Sequence, residues 1–256
     1  MLLALDTSTS VASVALVTGS ADDARLVAEL TWQVGQRHST ELLERLEWLL
    51  AAARLTMDDL TGIAVALGPG SFNGVRVALA TAKSLAFARN TPLYGAPTLD
   101  VIAWGHRISG GTICAILEAG RGQVYAALYT AHHDAASWAP VTDYMVLTAV
   151  ELAAQIHGEA FFCGEMSPET RATLAQTLGD RYRGVSPLDQ RRAGWLAELA
   201  LARAAHQRYD DLMTLEPLYL RRPASTASIR RGLPTPEGAD EKTMQGSARM
   251  RREERE

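Results

Sequence analysis

The sequence lacks the long apolar segments, the leader and the strong charge that would indicate several classes of protein. No apolar run in its 256 residues reaches the ~18 that a membrane-spanning helix needs. The opening MLLALDTSTS has no basic residue before its apolar run, so it indicates a strand rather than a secretion signal. A formal net charge of −4 argues against a large basic surface for nucleic acid. We therefore expect a soluble, cytoplasmic protein with no membrane partner.

Cysteine, lysine and histidine are too few or too scattered to indicate several kinds of site. Cys114 and Cys163 each lie in an apolar, strand-like segment, so we interpret them as buried thiols rather than a disulfide or metal pair. Lys83 is the only lysine before the C-terminal tail, and a G-x-x-x-x-G-K-[ST] phosphate loop is absent. No two of the six histidines are four residues apart, so we predict no metal site and no cofactor.

The first half of the chain alternates between strands and helices. Three runs at its start, LLAL, VASVALV and RLVAELTW, predict three antiparallel strands. Apolar residues at helical spacing predict a helix over residues 39–54, with Ser39 as its N-cap. Residues 63–67 predict a short buried strand, and residues 74–89 predict a second, alanine-rich helix.

The second half repeats the opening pattern in a weaker form. Residues 115–129 match residues 4–17 as strand, polar turn and strand, and Glu118 takes the place of Asp6. Such an internal repeat predicts two related lobes. The rest of this half predicts a strand, EAFFCG, and helices over residues 148–156, 168–178 and 191–208.

These patterns predict two lobes followed by a tail. The first lobe spans residues 1–103 and contains the two long helices, and the smaller second lobe spans residues 104–223. Residues 224–256 are rich in glycine, proline and charges of both signs, with few large apolar residues. That composition is typical of a disordered segment.

The turn between the first two predicted strands is a candidate phosphate site. Asp6, Thr7 and Ser8 place a carboxylate, hydroxyls and backbone N–H groups where they can face a phosphate or its metal ion. The alternative is a turn whose side chains satisfy its own backbone.

The glycine loop GPGSFNG, residues 68–74, joins a predicted strand to a predicted helix. Gly68, Gly70 and Gly74 give the backbone freedom to turn sharply, and Ser71 lies at the start of the helix. The helix N-terminus could attract an anion, but we favour a structural role, since no lysine accompanies the loop. Ser71 does not fit the G-x-S-x-G pattern of a hydrolase nucleophile.

Several stretches together resemble the TsaB family, also called YeaZ. They are LALDTSTSVASVALV, the HST of residues 38–40, the whole of residues 68–103, GQVYAALY and EPLYLRRP. Residues 68–103 include the glycine loop and the helix predicted after it. The resemblance covers most of residues 1–223 and departs from the family at Asn73 and Glu118, where Thr and Asp are usual. It implies the two-lobed α/β fold with mixed sheets of the actin, heat-shock-protein and sugar-kinase superfamily.

The resemblance also implies a role in forming the threonylcarbamoyladenosine modification (t6A) of tRNA. TsaB-like proteins pair with the catalytic transferase TsaD, and a TsaE-like ATPase is a further partner, with tRNA bound only through the complex. TsaD has an H-x-x-x-H metal motif, and Thr98 and Ile102 stand at those positions here. We therefore predict a non-catalytic scaffold or activating subunit whose polar turn and glycine loop are a vestigial nucleotide site. Whether the isolated chain forms a homodimer is left open.

The two long helices of the first lobe are apolar on more than one side. A helix needs one apolar stripe to pack on its own sheet, so the surplus must meet the other helix or another molecule. In TsaB relatives these helices meet the partner, and we carry that surface over as a prediction. The predicted partner interface comprises Leu43, Leu46, Leu50, Ala78, Thr81 and Leu85.

Two enzymatic alternatives were weighed against the scaffold. An ATP-dependent phosphotransferase of the same superfamily would need a second phosphate turn, but in EAGRGQVY the glycines are interrupted by Arg121. A transferase would need the metal site that Ile102 cannot complete. Both alternatives are therefore less favoured than the scaffold.

Overall fold

A computed structural model describes residues 1–34, 38–132, 134–184, 186 and 190–221. The predicted tail, residues 224–256, lies outside the described residues. The side chain of Ser39, and with it the predicted N-cap, also lies outside them.

The first half of the chain builds a five-stranded mixed sheet. Its elements are β1 (Leu2–Asp6), β2 (Val11–Thr18), β3 (Arg25–Gln33), α1 (His38–Ala52), β4 (Gly62–Ala66), α2 (Phe72–Arg89), β5 (Leu93–Ala96) and α3 (Thr98–Gly105). The strand order is β3-β2-β1-β4-β5, with β1, β2 and β3 antiparallel and β1, β4 and β5 parallel. This confirms the three predicted opening strands.

The second half builds another five-stranded mixed sheet. Its elements are β6 (Thr112–Gly120), β7 (Gln123–Thr130), β8 (Met145–Thr148), α4 (Ala149–Gln155), β9 (Ala160–Glu165), α5 (Pro168–Leu178), β10 (Tyr182–Gly184) and α6 (Ala193–Ala205). The order is β8-β7-β6-β9-β10, with the same pattern of antiparallel and parallel pairs. Each half therefore runs through three strands, helix, strand, helix, strand and helix, which confirms the internal repeat and the predicted fold class.

The two sheets and their helices stack as layers. The outer face of the first sheet packs on α1 and α2, and the outer face of the second packs on α4 and α5. Between the sheets lie α3, which packs on β6 and β9, and α6, which packs on β1 and β2. Because each central helix contacts the sheet of the other half, the halves share one apolar core. The predicted limits of the lobes stay a prediction.

Two helix boundaries differ from those expected from sequence. The helix α2 begins at Phe72, two residues early, because the Ser71 hydroxyl caps it by accepting from the N–H of Gly74 at 3.3 Å. The helix α6 begins at Ala193, so Arg191, expected inside the helix, precedes it. Among the described residues, no helix combines the length and the apolar character needed to cross a bilayer.

Candidate functional site

The turn between β1 and β2 is buried and satisfies its polar groups within the chain. Asp6, Thr7 and Ser8 have no exposed surface. Asp6 Oδ1 accepts hydrogen bonds from the backbone N–H of Ser8 at 2.9 Å and from its hydroxyl at 2.6 Å. The Thr7 hydroxyl donates to the carbonyl oxygen of Gly74 at 2.6 Å. This pattern is that of a turn stabilised by its own side chains.

The glycine loop packs directly against this turn. A Cβ on Gly70 would lie 2.0 Å from the carbonyl oxygen of Ser8, and one on Gly74 would lie 1.9 Å from that of Thr7. The N–H of Ser71 donates to the same Ser8 oxygen at 2.6 Å. Because only glycine permits this approach, the loop brings the start of α2 against the β1–β2 turn. The geometry accounts for these two glycines without an anion.

The side chain of Arg191, between β10 and α6, is completely buried. Its Nε forms an ion pair with Asp6 Oδ2, and its Nη1 forms one with Glu165 Oε1. Its Nη2 donates to the Val11 carbonyl oxygen at 2.7 Å, and both terminal nitrogens lie 3.3 Å from Thr9 Oγ1. Asp6 and Val11 belong to strands of the first sheet and Glu165 to a strand of the second. One guanidinium therefore contacts both sheets.

This ion pair leaves little capacity for an added cation at Asp6. Burial alone would lower the pKa of Arg191, but the nearby carboxylates of Asp6 and Glu165 outweigh burial and raise that pKa. The guanidinium therefore keeps its charge. One oxygen of Asp6 is bound by Ser8 and the other by Arg191. A metal ion would have to displace one of these partners.

A cleft of 710 Å³ opens between the two sheets beside Arg191 and is lined by residues of both halves. Of the predicted vestigial nucleotide residues, Gly70 and Ser71 line it. The cleft lining does not include Asp6, Thr7, Ser8, Gly68 or Gly74. Their predicted role in facing a nucleotide stays a prediction.

The charges around the cleft do not favour a triphosphate. Among the described residues, the lining contains two carboxylates, Glu118 and Glu165, and one arginine, Arg171. Glu118 Oε1 accepts from the N–H of Ser167 at 2.7 Å, so a carboxylate of the chain already occupies the N-terminus of α5. Arg121 is exposed in the β6–β7 turn and does not line the cleft. In the second half, a backbone N–H at the start of α5 is therefore bound by a carboxylate of the chain, Glu118. In the first half, the N–H of Ser71 at the start of α2 is likewise bound within the chain, by the carbonyl oxygen of Ser8.

Of the six residues of the predicted partner interface on α1 and α2, three are buried and three are at least partly exposed. Leu46, Leu50 and Ala78 are buried beneath the helices, in the apolar core between them and the first sheet. This corrects their assignment as contact residues, because helical spacing alone does not show which apolar stripe faces the sheet. Leu43 is 53% exposed, and Thr81 and Leu85 are partly exposed. We call these three residues the exposed ridge.

The two positions that the resemblance compares with the metal motif of the transferase lie inside the protein. Thr98 and Ile102 lie in α3 and are buried, and the Thr98 hydroxyl has no hydrogen-bond partner among the described residues. Within the described ranges, no group of three or more His, Cys, Asp or Glu side chains is placed to hold a metal ion. Cys114 and Cys163 are buried, as predicted, and burial raises the pKa of the Cys114 thiol.

Sequence reasoning missed a buried polar cluster around Asp100 in α3. Its Oδ1 accepts hydrogen bonds from the hydroxyls of Tyr129 and Tyr144, each at 2.7 Å. The indole N–H of Trp138 donates to the Asp100 carbonyl oxygen at 3.1 Å. Burial raises the pKa of Asp100 to about 6, although both phenol hydrogen bonds lower it. No signal along the sequence pairs residues separated by 29 and 44 positions.

Fold and site together define a class of protein: a duplicated, two-lobed α/β fold of the actin and sugar-kinase type with a buried internal ion pair beside its cleft. A family model described as TsaD, tRNA N6-adenosine threonylcarbamoyltransferase, matches residues 32–154. The tRNA threonylcarbamoyladenosine biosynthesis protein TsaB of Bacillus subtilis (strain 168) is 28% identical over 222 residues, 86% of this chain and 93% of that protein. The chain belongs to the TsaB (YeaZ) family, which confirms the resemblance.

Two further proteins are similar to this chain over most of their length. An uncharacterised protein of Mycobacterium tuberculosis is 30% identical over 224 residues, which is 87% of this chain and 92% of that protein. The structure of YeaZ from Pseudomonas aeruginosa superposes with a TM-score of 0.71 at 24% identity, covering 86% of this chain and 99% of that one. The superposition shows that the two chains share a fold.

Proposed function

We propose that this chain is a non-catalytic scaffold or activating subunit that pairs with a TsaD-like transferase in the formation of threonylcarbamoyladenosine in tRNA. Its similarity to a protein named for that pathway supports the pathway. The observation that carries the proposed pairing is the exposed ridge of Leu43, Thr81 and Leu85 on two adjacent helices.

The three ridge residues belong to two helices of the first half that contact each other. The helices α1 and α2 contact each other, and both cover the outer face of the first sheet. Leu85 packs partly on the core beneath, whereas Leu43 keeps about half of its surface in contact with solvent. Burying such residues against another apolar surface is the main favourable contribution to association. The ridge therefore suits a partner that presents apolar helices of its own.

The absence of catalysis is inferred from the cleft and from α3. The Asp6 carboxylate is already paired with Arg191, and Glu118 occupies the start of α5. At the two positions where the transferase would have histidine ligands, Ile102 cannot bind a metal and Thr98 is buried. We infer that chemistry, if it depends on this complex, takes place on the partner.

The other partners follow from the same proposal. A TsaE-like ATPase would join the pair, and tRNA would be bound through the complex rather than by this chain alone. The formal net charge of −4 fits a chain that does not itself hold the phosphate backbone. The same ridge could pair two copies of the chain when the transferase is absent.

Leu43→Asp tests the pairing. The substitution places a charge on the ridge at an exposed site, so we expect the chain to stay folded and to lose association with the TsaD-like subunit in size-exclusion chromatography. Trp48→Asp is the matched control, because Trp48 is also on α1, is 60% exposed and lies on a different side of the helix. Loss of association in both variants, or in neither, would remove the ridge from the account.

A phosphotransferase of the same superfamily is the second candidate, favoured only by the volume of the cleft. Calorimetric titration of the isolated chain with Mg-ATP separates the two candidates. The scaffold proposal predicts no specific heat of binding and no ATP turnover. Micromolar binding with turnover would contradict it.

A further inference from the structure

We propose that Arg191 is an internal lock that holds the two sheets in one relative orientation without any bound ligand. The proposal concerns the chain by itself and stands whichever partner the ridge binds. It rests on the position of one buried guanidinium between strands of different sheets.

The chain places Arg191 at the crossover between its two halves. The residue follows β10, a strand of the second sheet, and precedes α6, which packs on the first sheet. Its Nε and Nη2 bind Asp6 and Val11 on β1 and β2, and its Nη1 binds Glu165 on β9. A rotation of one sheet against the other would break either the Asp6 contact or the Glu165 contact.

The environment makes breaking that contact unfavourable. The side chains of Arg191 and Asp6 are fully buried, and that of Glu165 is 20% exposed. A buried charge that loses its partner is left without solvation, so removing one member of such a pair is strongly destabilising. All three nitrogens of the planar guanidinium are engaged, so the contact also fixes the orientation of the bound groups relative to one another.

The lock also explains how the two sheets can be held together beside the cleft without a bound ligand. The apolar core that the halves share already limits their relative motion, and the Arg191 contacts add a directional restraint at the edge of the cleft. Here the carboxylate at the end of β1 is bound by a side chain of the same molecule instead of by a cation. The helices α1 and α2 are therefore held in a fixed position relative to the second sheet, whether or not a nucleotide is present.

The test measures the distance between the sheets. Spin labels are attached through Ala51→Cys on α1 and Gln155→Cys on α4, two exposed helical positions on the outer faces of the two sheets. The native thiols Cys114 and Cys163 are buried, and thus shielded from the label. In the otherwise unchanged chain we expect one narrow distance distribution by pulsed electron paramagnetic resonance, and no change on adding Mg-ATP.

Arg191→Met and Glu165→Gln are then compared in the labelled chain. Arg191→Met removes the lock entirely, and Glu165→Gln weakens its contact with the second sheet while leaving the Asp6 pair intact. Both should broaden the distance distribution, and amide exchange in residues 6–11 should rise about tenfold in Arg191→Met, since exchange follows the free energy of local opening. If Arg191→Met does not fold, Glu165→Gln decides the outcome.

Arg192→Met is the matched control. Arg192 is the neighbouring arginine, and it pairs with Glu29 of β3, so its ion pair contacts only the first sheet. This variant should keep the narrow distribution. Equal distributions in Glu165→Gln, Arg192→Met and the parent, or a distribution in the parent that shifts with Mg-ATP, would overturn the proposal.

Discussion

The two halves of this molecule share one topology but differ in their outer helices. In the first half, α1 and α2 have 15 and 18 residues, whereas the corresponding α4 and α5 have 7 and 11. The first pair leaves Leu43, Trp48 and Phe87 exposed, while α4 exposes Val150. One topology therefore carries long outer helices with several exposed apolar side chains on one half and shorter outer helices on the other.

The β-hairpin turns of the two halves also differ, in how much of each is buried. The β1–β2 turn of the first half is buried under the glycine loop, whereas the β6–β7 turn, with Gly120 and Gly122 at positive φ, is open to solvent. Close packing therefore constrains the first turn much more than the second. Paired substitutions in the two halves test this contrast.

Gly74→Ala should give the largest effect. Its Cβ would lie 1.9 Å from a backbone oxygen of Thr7, so we expect a loss of about 3 kcal/mol or more in the free energy of unfolding. In the open β6–β7 turn, a Cβ on Gly122 would meet no atom within 4 Å, so Gly122→Ala is disfavoured only by its φ of +71°, which should cost about 1–2 kcal/mol. Urea denaturation of both variants measures the difference. Equal losses would show that the two turns are equally constrained.

Asp100→Asn should give the next largest effect, and it depends on pH. Asp100 has a pKa raised by burial from 3.8 to about 6, so its contribution to stability is present at low pH and is lost as pH rises from about 4 to about 6. That loss is on the order of 3 kcal/mol. The Asn variant cannot titrate there, so its stability relative to the parent should increase by roughly this amount between pH 4 and pH 8. Parallel urea titrations at the two pH values measure it, and a constant difference would contradict the assignment.

Helix capping should give the smallest effect, and here the second half should be the more sensitive. Thr148 forms a capping box on α4, in which its hydroxyl accepts from the N–H of Glu151 at 3.2 Å and the Glu151 carboxylate accepts from the N–H of Thr148 at 2.7 Å. Thr148→Ala should cost about 1 kcal/mol. Ser71→Ala should cost less, about 0.5 kcal/mol, because its 3.3 Å bond is long and α2 is anchored by packing. The decrease in melting temperature of the two variants measures the difference. A larger decrease for Ser71→Ala than for Thr148→Ala would contradict the expectation that the short helix α4 depends more on its cap.

The sequence predicted the repeat and most elements, because these depend on local pattern. Residues 4–17 and 115–129 matched each other, and the match correctly predicted two related halves, whereas the mixed sheets were implied by the family resemblance. Three short strands were not predicted, β5 and β8 with four residues each and β10 with three, because runs of that length give no distinct periodicity. Their existence depends on pairing with neighbouring strands. The eight-residue helix α3 was also missed, because it is buried on nearly all sides and shows no amphipathic pattern.

The candidate site was predictable only in part, because its decisive contacts are distant in sequence. Asp6 was singled out, but its partner Arg191 lies 185 positions away and was expected to be part of a helix. Ridge residues were separated from core residues only by the structure, because both groups follow the same helical spacing on α1 and α2. Long-range pairing and the orientation of a helix face are tertiary properties, which local sequence patterns do not specify.

The central claim is that the first half, through α1 and α2, is the partner-binding half. Amide hydrogen exchange of the full chain, alone and in complex with a TsaD-like subunit, tests this most directly. The account predicts that peptides covering residues 38–52 and 72–89 become protected in the complex, while those covering residues 149–155 and 168–178 do not change. Protection of the second pair of helices, with the first pair unchanged, would contradict it.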